Sequence, residues 1–341
     1  MTSMPRRALS ILALLALLAI VSVAAAALCG SSGCLRADGL PAAAADVIWQ
    51  LRYPRSLAAF AVGALLALAG ALMQVLLRNP LADPYVLGVS GGAAAGAMGM
   101  LLATPALLAA GLGWRSEWSV HLGALIGALA AIGLLFLLAR RALFGLGPVS
   151  MMAAGTGGVR LILTGVMIAS GFGAVITLML SMAPDNTLRG MIFWLMGDLE
   201  NTQLFLPALL VLVAALVWSV RAAPSLNVLL HGDANAQLLG IRVVPLRAAA
   251  LFVASLATAS AVAVAGSIGF VGLVVPHALR LLIGTDQRVL LPGCALAGGA
   301  ALALADLLAR TIAAPLQLPV GVITAMVGVP VLLSLLARSR R

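Results

Sequence analysis

Gly88-Val-Ser-Gly-Gly92 satisfies G-x-S-x-G, the pattern that sets a serine nucleophile on a sharp strand-to-helix turn. Here a loop rather than a strand precedes Ser90, and an apolar run follows it. The nucleophile also needs a positioned histidine, and the chain's three, His121, His231 and His277, are scattered along it. An intramembrane serine hydrolase at Ser90 is therefore the remotest reading. Asp306 is the one carboxylate set inside an apolar run, where an ionisable group is a proton-coupling suspect. Arg310 lies one helical turn further on, and such a pairing offsets part of an insertion cost on the order of 3 kcal/mol. A proton-coupled secondary transporter using Asp306 is the alternative this leaves open. Cys29 and Cys34 lie close enough for a disulfide, and Cys294 falls in an apolar run. No His, Cys and carboxylate cluster has metal-ligand spacing, so neither a dedicated metal site nor a cofactor is expected.

One absence decides more than these motifs. All twenty basic residues are arginine. A Walker-type ATP site needs a lysine on the phosphates, so nucleotide energy has to come from a separate subunit.

Hydrophobic residues make up 63% of the chain and charged residues only 9%, which implies a polytopic membrane protein. The fold class is all-α, a single transmembrane domain over 1–341 with about ten helices in one bundle. Apolar runs place spans near 8–28, 56–77, 86–108, 119–139, 159–181, 203–220, 245–266, 269–283, 290–309 and 319–337. The first resembles a signal peptide, with Arg6 and Arg7 ahead of it, yet it is long enough to span and reads as a retained helix. With the N-terminus inside, Arg36, Arg52, Arg55, Arg115, Arg189 and Arg310 fall outside, and the other fourteen of twenty arginines inside. Both termini are then cytosolic. Trp49, Tyr53, Trp114, Trp118 and Trp194 fall near the outer interface, Tyr85 and Trp218 near the inner one. The net charge of +10 is spread singly over span ends, which speaks for membrane topology and against nucleic acid. Glycines such as Gly63, Gly70, Gly92 and Gly298 read as close-packing positions between helices in the bilayer.

Two polar segments interrupt the pattern. Residues 182–201 read as a short amphipathic helix in the outer interface. The longest interruption runs from Arg221 to Arg247. Pro224–Asn227 reads as a turn with Ser225 or Asn227 as an N-cap, and Gly232 and Gly240 as punctuation around a short helix. Two short helices outside the bilayer imply that a cytosolic partner docks at 222–244. Arg52, Arg55 and Arg310, on the outer side, could serve as fixed cations for acidic groups of another protein.

Several blocks together resemble ABC importer permeases for iron-siderophores, haem and cobalamin. They are Gly70-Ala-Leu-Met-Gln74, Arg78-Asn-Pro-Leu-Ala-Asp-Pro84 and Leu87-Gly-Val-Ser-Gly-Gly-Ala93, then the run from Gly266 through Phe270 to Pro276-His277 with Arg280 and Asp286-Gln-Arg288, then Asp306 with Arg310, and Leu318–Thr324. The region after Arg288 is most similar to the cobalamin permease. Tyr53 and Gln287 depart from the family's usual Leu and His. The resemblance implies a homodimer working by alternating access in the bacterial inner membrane, with cytosolic ABC ATPase subunits and a periplasmic substrate-binding protein as partners and no bond chemistry of its own. It implies ATPase coupling through Leu226, Asn227, Leu230, Gly232, Asp233, Ala236, Leu239 and Gly240. It implies binding-protein docking at Arg52, Arg55 and Arg310, a cytosolic gate at Asn79 and Leu81, and a central pathway along the fifth span. Thr164, Ser170 and Thr177 are the main polar groups of that span.

Overall fold

In lipid every backbone N–H and C=O must be satisfied within the protein, so long apolar sequence has to become helix. The computed structural model describes residues 6–31, 33–34, 46–109, 116–143, 156–199 and 205–339. The described residues form twelve α-helices in a single bundle: α1 (Arg6–Leu28), α2 (Tyr53–Leu76), α3 (Val89–Ala109), α4 (Ser116–Leu143), α5 (Thr156–Met182), α6 (Asp185–Leu195), α7 (Phe205–Leu230), α8 (Asp233–Leu238), α9 (Val243–Ala265), α10 (Val271–Ile283), α11 (Gln287–Thr311) and α12 (Val320–Ser339). A π-helical turn (Ile48–Arg52) leads into α2 and a 3-10 turn (Pro84–Leu87) precedes α3. A two-residue hairpin, β1 (Cys29–Gly30) with β2 (Gly33–Cys34), follows α1 and is closed by a Cys29–Cys34 disulfide.

Eight of the described helices are long and apolar enough to cross a bilayer, and the stretches Val271–Ile283 and Val320–Leu335 are shorter apolar helices. These ten correspond to the ten expected spans. The bundle is built around α2, whose span is 89% buried. Glycine makes that possible. A Cβ on Gly63 would run into the Gly298 carbonyl of α11, and one on Gly70 into the Gly272 backbone of α10. Gly92 and Gly96 of α3 meet Gly127 and Gly123 of α4 in the same way, so backbone packs on backbone.

The expected eighth span is shorter than its apolar run suggests. At about 1.5 Å per residue, the 13 residues of α10 extend roughly 20 Å, less than a hydrocarbon core of about 30 Å. Residues 266–270 before it are non-helical, and Gly266 and Phe270 have φ of 66° and 71°. This break is held from inside the bundle. The Tyr85 hydroxyl donates to the Ile268 carbonyl (2.8 Å) and accepts from the Ile268 N–H (3.0 Å), while the Asp198 N–H donates to the Ala265 carbonyl (2.9 Å). The polar tip of Tyr85 is thus directed at the bundle's own backbone. Its hydroxyl satisfies broken backbone that lipid could not.

A second correction concerns Pro224. No turn interrupts the chain at 224–227; α7 runs on through Pro224 to Leu230. The ring removes one ladder bond, while the fully buried Leu226 and Leu229 hold the last turns against the bundle. Only one separate short helix, α8, therefore stands in the polar interruption. Its punctuation is as expected, with Gly232 and Gly240 at φ of 111° and 79°. In the 182–201 segment, α6 is the short helix expected there, and the chain after it turns into the bundle where Gly197 lies against Ser267.

Candidate functional site

Three regions hold the residues of interest. At one end of the bundle the C-terminus of α1, the disulfide hairpin, the start of α2 and the end of α11 converge on an arginine network. Asp306 is fully buried at its centre. Arg55 reaches its Oδ1 through Nε (3.0 Å) and Nη2 (2.9 Å), and Arg310 Nε lies 3.0 Å from Oδ2. The expected Asp306–Arg310 pair is present, and Arg55 joins it from a residue 251 positions away. Arg55 also donates to Gln317 Oε1 (3.0 Å) and stands 3.9 Å from Asp198. Arg310 donates to the Ala26 carbonyl (2.9 Å), and Arg52 to the Leu28 carbonyl (2.8 Å). Gly30 of the hairpin lies against both the Arg52 and Arg310 guanidinium groups. Arg52, Arg55 and Arg310 are 7%, 9% and 4% exposed, so most of each side chain serves the fold. Removing the shared carboxylate would leave two buried cations facing each other. Both Asp306 oxygens thus face guanidinium groups.

At the other end lies the α7–α8 segment. Leu226 and Ala236 are fully buried, Leu230 packs against the core, and Leu238 and Leu239 stand 85% and 70% exposed at the tip. Asn227 is not a helix cap. Its side chain donates to Asp286 (2.7 Å) and accepts from the Gln287 N–H (2.8 Å), tying the segment to the start of α11. Asp233, the first residue of α8, pairs through Oδ1 with Arg78 and through Oδ2 with Arg247 (3.0 Å). The neighbouring loop carries Asn79 and Leu81, both exposed, with the Asn79 side chain accepting the Leu81 N–H at 2.9 Å. Further along, Asp83 accepts the Tyr85 N–H at 2.8 Å, and burial raises its carboxyl above the usual range despite that bond.

The third region is the bare side of α5, whose span is only 17% buried. Leu163, Met167, Ser170, Ala174, Thr177 and Leu178 are exposed along one stripe at helical spacing. Thr177 returns its hydroxyl to the Gly173 carbonyl (2.9 Å), so that side presents little that could hold a ligand by direction. Thr164 sits beside it in an apolar groove of about 610 Å³ between α4 and α5.

Among the described residues Ser90 makes no hydrogen bond to a histidine. Its Oγ faces Ser267 Oγ at 3.2 Å, while His121 bonds the Ala263 carbonyl and His231 the Asn227 carbonyl. Sequence reasoning missed Arg78, Arg247, Asp198, Gln317 and Tyr85. Their partners are 14 to 262 residues away, or backbone atoms, and carry no local signature.

The described residues thus form a multi-pass helical bundle with a buried ionic network at one end and a polar segment ending in exposed leucines at the other. The FecCD transport family profile matches residues 8–338, and the chain belongs to that family. The vitamin B12 import system permease BtuC of Salmonella paratyphi A is 39% identical over 305 residues, 89% of this chain and 87% of the relative. An uncharacterized ABC transporter permease, YvrB of Bacillus subtilis, is 42% identical over 87% of this chain and 80% of its own. A solved structure described as an inward-facing conformation of a metal-chelate type ABC transporter superposes with a TM-score of 0.83. It is 28% identical and covers 96% of this chain and 99% of that one.

Proposed function

We propose that the chain is the permease subunit of an ATP-driven importer of metal chelates, of the cobalamin or ferric-siderophore class. It works as a homodimer in the bacterial inner membrane. The match to vitamin B12 permeases over most of both chains carries this reading. The disulfide gives an independent argument for orientation, because such a bond persists on the oxidising side of the membrane. It supports the reading in which the Arg52, Arg55 and Arg310 end faces the periplasm and the α7–α8 segment the cytosol, the orientation the arginine distribution also favours.

The geometry supports a role for each region in this reading. Leu238 and Leu239 offer apolar anchors to a groove on a cytosolic ATPase, while buried Leu226, Leu229 and Ala236 hold the segment to the bundle. Nucleotide-driven closure of the ATPases moves α8, and Asn227 and Asp233 pass that movement to α11, α9 and the Asn79–Leu81 gate. The bare side of α5 meets its counterpart on a second copy, and the cargo passes between them. A pathway with few directional contacts releases a bulky chelate readily. Arg52, Arg55 and Arg310 form the cationic floor on which acidic groups of the binding protein settle.

The test reconstitutes the chain in liposomes with its ATPase and binding protein, and measures uptake of cobalamin and of a ferric siderophore. ATP-dependent uptake that survives an uncoupler supports the proposal. Uptake that an uncoupler abolishes at constant ATP would instead make Asp306 the proton-coupling group.

A further inference from the structure

The gate loop leaves α2 through a residue in an unusual backbone conformation. Arg78 has φ of 47°, one of two non-glycine residues with positive φ among those described. Such a conformation persists only where surrounding contacts impose it. Its backbone N–H bonds the Val75 carbonyl (3.3 Å), closing the helix end, and its guanidinium turns to Asp233 at the start of α8. The other oxygen of Asp233 takes Arg247 (3.0 Å), whose second nitrogen donates to the Leu76 carbonyl at 3.0 Å. One carboxylate thus joins the first residue of α8, the first turns of α9 and the last turn of α2. Arg78 is also the residue immediately before Asn79.

From this triad we infer that Arg78 and Arg247 are positioning residues that transmit the movement of α8 to the gate loop, with Asp233 as the shared node. The inference rests on the importer reading, since it needs an ATPase that moves α8. The two cations have different tasks. Arg247 is anchored to α2 by its own bond to Leu76, so it holds the node against the bundle. Arg78 is itself part of the loop that must move, so a shift of Asp233 acts on Asn79 through a single peptide and on Leu81 through the Asn79 side chain that accepts its N–H. A charge-assisted pair suits this role because it keeps its geometry under a small displacement. An apolar contact would slide.

The experiment uses the complete complex of permease, ATPase and binding protein in liposomes, comparing unsubstituted protein with Arg78→Gln and Arg78→Lys. The Arg78 side chain is 38% exposed, so the substitution leaves no buried vacancy in the bundle. Assembly with the ATPase and the rate of ATP hydrolysis stay near wild type in all three, while cargo moved per ATP falls about tenfold in Arg78→Gln and largely recovers in Arg78→Lys. In parallel, Asn79→Cys is labelled with a thiol reagent with and without nucleotide. Labelling changes with nucleotide when Arg78 is present and not when it is Gln. Cargo per ATP at the wild-type value in Arg78→Gln, or nucleotide-dependent labelling of Asn79→Cys in its absence, overturns the inference. So does loss of ATPase assembly in Arg78→Gln, which would make Arg78 part of the docking surface. Failure of the unsubstituted complex to couple uptake to ATP would count against the importer reading, because the triad is judged only by the ratio between variants.

Discussion

The spans of α2 and α5 are almost equally apolar, with mean hydropathy of 2.2 and 2.1, yet 89% of one and 17% of the other is buried. Hydropathy says that both belong in a bilayer. It does not say which is scaffold and which is working surface. The glycines tell them apart. Gly63 and Gly70 of α2 face the carbonyls of Gly298 and Gly272, whereas Gly171 and Gly173 of α5 have open space where a Cβ would stand. In α2 glycine is the condition for helices to meet. In α5 it leaves a side uncovered by the described residues.

The contrast can be broken by substitution, and the largest effect belongs to α2. Gly70→Val should leave no monodisperse folded protein after detergent extraction, because the new side chain has only the Gly272 backbone to displace. Folded protein at wild-type yield would refute the scaffold role of α2. Next comes the network that fixes the far end of α2 to α11. Asp306→Asn should cost on the order of 3–5 kcal/mol, because it strands Arg55 and Arg310 as buried cations. A marked fall in melting temperature of the detergent-solubilised protein is the expected reading. Unchanged stability with lost uptake would favour proton coupling instead.

Smaller effects are expected where side chains are already bare. Leu239→Ser, at a 70% exposed position, should leave the fold unchanged while weakening ATPase binding about tenfold, or roughly 1.4 kcal/mol, in a co-purification titration. Equal affinity would remove Leu239 from the docking surface. Thr177→Val, on the open stripe of α5, should change stability by no more than about 0.5 kcal/mol. A larger loss would mean that the stripe is packed rather than bare.

Much of this was legible in the sequence and some was not, for physical reasons. The ten apolar runs, the Gly232–Gly240 punctuation and the Asp306–Arg310 pair are local signals, and each has its counterpart in the structure. Pro224 misled because buried leucines on its far side outweigh one missing hydrogen bond. The task of Tyr85 was not legible because its polar tip serves the broken backbone at Ile268, 183 residues away. The arginines near the hairpin were recognisable as a cluster of like charge. Their burial and their carbonyl partners on α1 depend on how three distant segments meet, which spacing along the chain does not encode.

In the function proposed above, the bare side of α5 closes against a second copy of itself. Gly171→Cys probes this contact, since a Cβ there meets nothing within 4 Å among the described residues. Oxidation or a short bifunctional thiol reagent in native membranes should convert the variant to a covalent dimer, with a yield that changes when nucleotide binds the ATPase. A variant that stays monomeric under all nucleotide conditions, while a cysteine on another exposed helix cross-links freely, would contradict it.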